Sequence, residues 1–485
     1  MKRKKESDNF LREEEIIAFY MLNPNIFKFI VEICSGNEYY IICWLFHSES
    51  KVFVVLKMFR LEENKTNVRT ELLAGVTTFL TMVYIVVVNP AILSEAGLPF
   101  EQVFMATVLA AIIGTLIMAL AANYPIAIAP GMGMNAYFVT EVVQQDVSYS
   151  VILGTVFLAG VLFVILSLTR LREILITAIP ASLKYGITSG IGLFIAFLGL
   201  RMSGIIIADD STLVTLGDLA APGTFLTIIG LFITLGLIAK RVTGALFIGM
   251  VITAIIGMFT GQLSFNDGYV SSPPAPVFWD IDLAGVFSNG LYTVIFAFLL
   301  VTIFDTTGTM IGVAEQAGFI RKDGSLPRAR AALMADATAT TAGAMFGTSP
   351  SSAYIESSSG VAVGGRTGLT TIVVAGLFLL SIFFSPLVGA VSNLPAITAP
   401  VLIIVGCFMM EGLAKVNWKT FDEAFPAFII ILTMPLTSSI ATGIAIGFIT
   451  YPLLKVFSGK GKDVHWILYL FGAIFIIQMI FFPGH

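Results

Sequence analysis

Two carboxylates stand inside apolar segments, where an ionised group is costly. Asp305, in TIFDTTGTM, falls around the middle of one segment, and Glu356, in SAYIESSSG, is expected less than two turns into a half-helix. A carboxylate at bilayer depth costs roughly 2.5–3.5 kcal/mol on insertion scales, so it marks a pathway or a relay by default. The plainer alternative is a packing acid satisfied by neighbouring hydroxyls, and both have them. Thr306, Thr307 and Thr309 flank Asp305, and Ser357, Ser358 and Ser359 follow Glu356. Two such acids beside two interrupted helices favour the functional reading.

The interruptions are Pro130, in IAPGMGMNAYF, and Pro350, in GTSPSSAYIESSSG. Proline removes a backbone donor and disfavours helix in the residue before it. Extended chain is therefore expected before each proline and a helix just after it, starting near mid-membrane with free N–H groups and a positive dipole end. Irregular backbone at that depth survives only if it is buried or lines a cavity. Gly131 and Gly133 would let a ligand approach the backbone, and Ser349, Ser351 and Ser352 would cap the second half-helix. The alternative is a pair of proline kinks with no ligand.

This constellation suits an uncharged planar heterocycle. A carboxylate accepts from two adjacent N–H groups, while an amide such as Asn135 and the half-helix N–H groups serve carbonyl acceptors. A buried carboxylate can also take up and release a proton. An anion would want the dipoles without the acids. A serine hydrolase would need a base, and no histidine or lysine lies at that depth, since His47, His465 and His485 are outside the core spans. Cys34, Cys43 and Cys407 have no metal spacing, so no metal or cofactor is expected. Other polar groups carry weaker expectations. Asp336 and Glu315 should pair with the Arg321–Arg330 loop, Asp336 being also placed to join a relay. Glu95 and Glu141 look like span ends, and Asn89 before Pro90 should cap or kink the first span.

The elements that must position these residues are membrane helices. Of 485 residues, 57% are hydrophobic and 12% charged, about half the usual charged fraction of a soluble domain. The net charge of −4, without a basic tract of the binding kind, argues against nucleic acid. Apolar runs of crossing length are expected near 71–92, 102–122, 125–145, 150–168, 186–206, 223–239 and 243–261. Seven more lie near 290–314, 330–346, 349–365, 369–389, 397–414, 424–438 and 440–457, and an extra apolar segment spans 464–482. The fold class is thus an all-α polytopic membrane protein of fourteen spans.

Alternate crossings put Arg60, Lys65, Arg69, Arg170, Arg172, Lys184, Lys240, Arg241, Arg321, Lys322, Arg328, Arg330, Arg366, Lys415, Lys419, Lys460 and Lys462 on one face. Asp209, Asp210, Asp218, Asp267, Asp280 and Asp282 fall on the other. By the positive-inside bias the basic face is cytoplasmic, and the N-terminus with it. Seven is odd, so a second copy enters the membrane inverted. The last spans of the halves, RVTGALFIGMVITAII and SIATGIAIGFITYPLL, resemble each other, and the third span of each carries the central proline. Inverted repeats with paired broken helices are the layout of a secondary transporter. The expected divisions are a first repeat at 58–262, an extracytoplasmic linker at 263–289, a second repeat at 290–457 and a C-terminal segment at 458–485. Residues 1–57 mix charge and aromatics without a clean period and read as an extension, with Met58 a natural start.

From about Val68 to about Lys455 the chain resembles the nucleobase–cation symporter family, in its azaguanine-sensitive purine permease branch for adenine, guanine and hypoxanthine. The resemblance rests on NVRTELLAGVTTFLTMVYIVVVNPAIL, ANYPIAIAPGMGMNAYFV, FDTTGTMIGVAEQAG and GTSPSSAYIESSSGVAVGGRTGLT. It implies 7+7 inverted spans in the uracil-permease-like fold, divided into a core (spans 1–4 and 8–11) and a gate (5–7 and 12–14). Short β-strands would precede the half-helices of spans 3 and 10, with the base bound between them. It implies a substrate site of Glu356, Asp305, Asn135, Gly133, Ala353, Tyr354 and Thr309, with Asp305 and Glu356 coupling protons. Thr309 stands where uracil-type members have a histidine, which argues for purines. The implied partners are a purine base, protons and membrane lipid, with a homodimer left open. An anion carrier of the sulfate type on the same fold is the alternative.

Overall fold

A computed structural model describes residues 58–169, 178–265, 268–321 and 326–481. The expectations for residues 1–57 and for Arg170, Arg172, Asp267, Lys322 and His485 lie outside the described residues. The chain divides into two units, Met1–Arg60 and Leu61–His485, and every helix and strand from Val68 onward belongs to the second.

The first half runs through α1 (Val68–Met82), α2 (Ile85–Leu93), α3 (Phe100–Ile117), β1 (Ile128–Pro130), α4 (Met132–Gln144), α5 (Tyr149–Leu168), α6 (Ala181–Met202), a β2–β3 hairpin (Ile206–Asp209, Leu213–Leu216), α7 (Pro222–Ala239) and α8 (Ala245–Phe259). After the short linker helix α9 (Leu283–Ser288), the second half continues with α10 (Tyr292–Gln316), α11 (Ala329–Phe346), β4 (Ser351–Ala353), α12 (Ser357–Val363), α13 (Gly368–Ser381), α14 (Ser385–Ser392), α15 (Pro395–Met409), α16 (Phe421–Leu436) and α17 (Ile440–Phe457). Helix α18 (Trp466–Phe481) closes the chain's described part.

Nine helical stretches among the described residues are long and apolar enough to cross a membrane, and they hold the places expected for spans 1, 2, 4, 5, 6, 8, 11, 12 and 14. Places 3, 7, 9, 10 and 13 are held by α4, α8, α11, α12 and α16, which are shorter or less apolar. Length and hydropathy therefore do not by themselves count fourteen crossings. The expected span 186–206 is corrected to Ala181–Met202, because the chain leaves the helix at Ser203 and enters an extended hairpin at Ile206. Its turn is nucleated by Asp209, whose carboxylate accepts from the hydroxyls and N–H groups of Ser211 and Thr212. The Ser211 hydroxyl bond leads these donors in holding that carboxyl well below the usual carboxylate range.

Loop contacts agree with the threading. On the basic face, Arg330 donates to the Leu168 carbonyl at 2.6 Å, and Gly368 N–H donates to Asn123 at 2.7 Å. The buried Glu71 carboxylate accepts from the N–H groups of Arg366, Thr367 and Thr370. On the acidic face, Asp280 accepts from Tyr149 and Ser150, and Ser271 N–H donates to Phe383. Residues assigned to one face by alternate crossing meet residues of that same face.

Helix packing repeats under exchange of the halves. Helix α5 packs on α11 as α13 packs on α3; α1 on α13 as α10 on α5; α6 on α16 as α15 on α7. The strands β1 and β4 pair antiparallel, with Ala129 opposite Ser352. An antiparallel pair between equivalent segments is what inversion of one copy relative to the other produces. Spans 1–4 pack mainly with 8–11, and 5–7 with 12–14. Helix α18 packs on α17, its Phe471 and Phe475 set between Phe448 of α17 and Phe296 of α10.

Candidate substrate site

The site is built on the β1–β4 pair, all six of whose residues are buried. Backbone bonds extend the ladder at both ends: Gly131 N–H donates to the Pro350 carbonyl at 2.9 Å, and Tyr354 N–H to Ala127 at 3.0 Å. A two-stranded ladder of three residues leaves outward groups unpaired, and one threonine on each flanking helix satisfies them. Thr115 of α3 lies 3.0 Å from the N–H and 2.9 Å from the carbonyl of Ile128. Thr340 of α11 lies 3.1 Å from the N–H and 3.3 Å from the carbonyl of Ser351. These are the same device at equivalent places in the two halves.

The first half-helix starts as expected, with Gly131 as N-cap and Met132 as its first residue. The second does not. Helix α12 begins only at Ser357, because strand pairing carries the extended chain through Ala353 and a turn occupies Tyr354–Glu356. Ser349, Ser351 and Ser352 therefore do not cap it, and Glu356 sits at its N-cap rather than within it. The serines are used laterally. The Ser349 hydroxyl donates to the Asn135 side-chain oxygen, and the Ser352 side chain lies beside the Asp305 carboxyl.

Glu356 accepts a hydrogen bond from the hydroxyl of Tyr84, a fully buried residue between α1 and α2. Thr81 donates to the Glu356 carbonyl at 3.3 Å. Asp305 is half-buried and Glu356 likewise borders open space, with Ile355, beside it, 50% exposed. From Asp305, exposed Gly308, Gly312 and Glu315 descend one face of α10 toward the basic side, with Thr309 half-buried one turn from the acid. On the acidic side the Gln144 side chain donates to the carbonyls of Thr437 at 2.9 Å and Ser438 at 3.4 Å, joining the end of α4 to the end of α16. Both acids keep partial exposure, and the exposed stripe of α10 leads from Asp305 toward the basic end of that helix.

The remaining expected residues fall around this centre with different neighbours. Asn135 is fully buried, its oxygen taken by Ser349 and its NH₂ without a partner. At Gly133 a Cβ would overlap Ile191 Cγ2, so this glycine admits helix α6 rather than a ligand in this conformation. At Gly131 a Cβ would lie 2.9 Å from the Ser352 hydroxyl oxygen. Tyr354 returns its hydroxyl to the Pro130 carbonyl at 2.5 Å, strapping the strands together, and Ala353 N–H points to the Thr306 hydroxyl at 3.4 Å.

Asp336 is the residue the sequence misplaced. It is fully buried and accepts from Thr306 at 2.5 Å, one residue from Asp305, with its second oxygen unpaired. Arg328 and Arg330 of that loop are engaged elsewhere: Arg328 lies 5.1 Å over the Tyr124 ring and Arg330 bonds Leu168. The available signal was helical spacing, since Asp336 lies four residues before Thr340 and so shares its strand-facing side. Asn89 likewise caps nothing. Its side chain runs inward from the middle of α2 to Thr107 and Thr348.

A polytopic bundle whose two halves share one packing pattern, with paired broken helices at its centre, defines a multi-pass membrane transporter rather than an enzyme. A family model described as "Permease family" (Xan_ur_permease) matches residues 69–446, and the chain belongs to that family. Its relatives place it in the nucleobase/ascorbate transporter branch. It is 60% identical over 430 residues to the guanine/hypoxanthine permease PbuO of Bacillus subtilis (strain 168), covering 87% of this chain and 99% of that one. It is 45% identical over 432 residues to the adenine permease AdeP of Escherichia coli (strain K12), covering 88% and 96%. In fold it is similar to the transmembrane domain of the cyanobacterial bicarbonate transporter BicA, with TM-score 0.60 at 17% identity over 78% of this chain and 97% of that one.

Proposed function

We propose that this chain imports purine nucleobases, hypoxanthine and guanine or adenine, together with protons by alternating access. The carrying observation is the placing of Glu356, Asn135 and Asp305 about the paired strands, Glu356 held by the Tyr84 hydroxyl and Asn135 by that of Ser349, with Ser352 beside Asp305. The names of the similar permeases support the substrate class.

In this reading Glu356 accepts from the base's N–H groups, held in line by Tyr84. The Asn135 amide and the α4 backbone serve the base's acceptors, while Ala353, Tyr354 and Thr309 shape the walls and Gly133 lets α6 approach α4. Asp305 carries the proton, and the two acids titrate as one coupled pair. Spans 5–7 and 12–14 act as the gate against spans 1–4 and 8–11. The inverted repeats occupy 58–262 and 290–457 as fourteen crossings, with 263–289 as an extracytoplasmic linker. The protein sits in the cell membrane with its basic face, and its N-terminus, in the cytoplasm. Lipid contacts the exposed apolar side chains of helices such as α7, and a homodimer is to be tested by crosslinking in membranes. An anion substrate is disfavoured because two carboxylates face the same opening.

The test is uptake of radiolabelled hypoxanthine, guanine, adenine and uracil into cells lacking their own permeases, with and without a protonophore. Protonophore-sensitive purine uptake, reduced about a hundred-fold in well-inserted Glu356→Gln and Asp305→Asn, is expected, as for loss of hydrogen bonds to a charged group. A correctly inserted wild type that moves no base would overturn the purine reading, and anions would be tested next.

A further inference from the structure

Three consecutive residues before β4 each reach a different group. Thr348 accepts from the Asn89 side chain of α2 at 2.9 Å. Ser349 donates to the Asn135 oxygen in α4. The Pro350 carbonyl accepts from Gly131 N–H, the N-cap of that same half-helix, at 2.9 Å. Asn89 also donates to Thr107 at 2.5 Å, and Thr107 spends its own proton on the Val103 carbonyl at 2.6 Å. The second Asn89 bond is thereby anchored to the backbone of α3. Asn89, Thr107, Thr348, Ser349 and Asn135 are all fully buried.

We propose that Asn89 is a positioning residue for the substrate site: through Thr348 it fixes the 348–350 segment so that Ser349 orients the Asn135 amide. The proposal deepens the purine reading and rests on it only for the choice of substrate. A helix-capping role is contradicted by its place inside α2, where its amide donates to two side chains of other elements and none of its own. A pure packing role is poorly served by asparagine, because its side-chain oxygen is buried without a partner, a cost an apolar residue of similar size would avoid. What asparagine supplies is two directed donors, and the one to Thr348 sets the height of the extended segment against α4. Small displacements of a positioning group have large consequences for a ligand held by a few hydrogen bonds.

The experiment compares Asn89→Ala, Thr348→Val and Thr348→Ser in hypoxanthine uptake, normalised to inserted protein. Asn89→Ala and Thr348→Val are expected to raise KM about ten-fold with maximal rate changed less than about two-fold, while Thr348→Ser, which keeps the hydroxyl, stays near wild type. A fall in maximal rate or abundance at unchanged KM would reduce Asn89 to a structural residue. So would a Thr348→Ser variant as impaired as Thr348→Val. A double-mutant cycle between Asn89→Ala and Asn135→Ala, read as melting temperature of the purified protein without ligand, is expected to be non-additive. Strict additivity would overturn the ladder whatever the substrate. A wild type that transports no purine would overturn the substrate reading and leave the cycle to decide the ladder.

Discussion

The two strand–half-helix units share a scaffold and differ in what they expose. In both, a proline-interrupted segment forms one strand of the β1–β4 pair, and a threonine from the preceding helix holds the strand's first residue by N–H and carbonyl together. Helix α4 then begins two residues after Pro130, runs 13 residues, and buries its Asn135 amide. Helix α12 begins seven residues after Pro350, runs only 7 residues, and carries a carboxylate at its N-cap beside the opening. The closed unit offers donors and the open unit an acceptor. The two units thus share a frame and differ in the polar group each sets beside it, an amide in one and a carboxylate in the other.

The largest effect that would break this comparison lies in the shared part. Thr115→Val and Thr340→Val should each destabilise the purified protein by about 2 kcal/mol, because each leaves a buried N–H and carbonyl unpaired. Comparable falls in melting temperature would sharpen the equivalence, whereas a neutral change at one site would break it. The next concerns the closed unit's contact with the gate. Gly133→Val should lower uptake about ten-fold by driving α4 against Ile191, with Ile191→Ala restoring much of it. Failure of that rescue would mean that Gly133 faces the substrate instead. The smallest concerns the acidic side. Gln144→Ala removes only peripheral hydrogen bonds to Thr437 and Ser438, so an effect of about two-fold is expected. It should be read as faster labelling of a cysteine at the acidic end of α4, and unchanged labelling would remove Gln144 from the closure.

Legibility followed the range of the interactions. The acids at 305 and 356, the prolines and the crossing pattern were visible because each is a property of a single segment. The start of α12 was not, because Pro350 determines only its immediate neighbourhood, while pairing with β1 some 220 residues earlier extends the strand through Ala353. Asp336 was read as a partner for loop arginines from its position near a span end. Its partner is Thr306 on a neighbouring helix, and Arg328 and Arg330 are occupied by Tyr124 and Leu168.

By itself the sequence determined that this chain lives in a membrane, how its basic residues alternate with its apolar segments, and that two carboxylates and two prolines stand inside such segments. Those features arise from hydrophobic length, charge asymmetry and proline geometry, all of which act locally. Only the tertiary structure decided that Asn89 reaches Thr348, that Ser349 holds Asn135, that Tyr84 holds Glu356 and that Gly133 admits α6. A buried polar group must find a partner wherever the fold brings one, and in a protein built from two inverted copies the partner lies half a chain away.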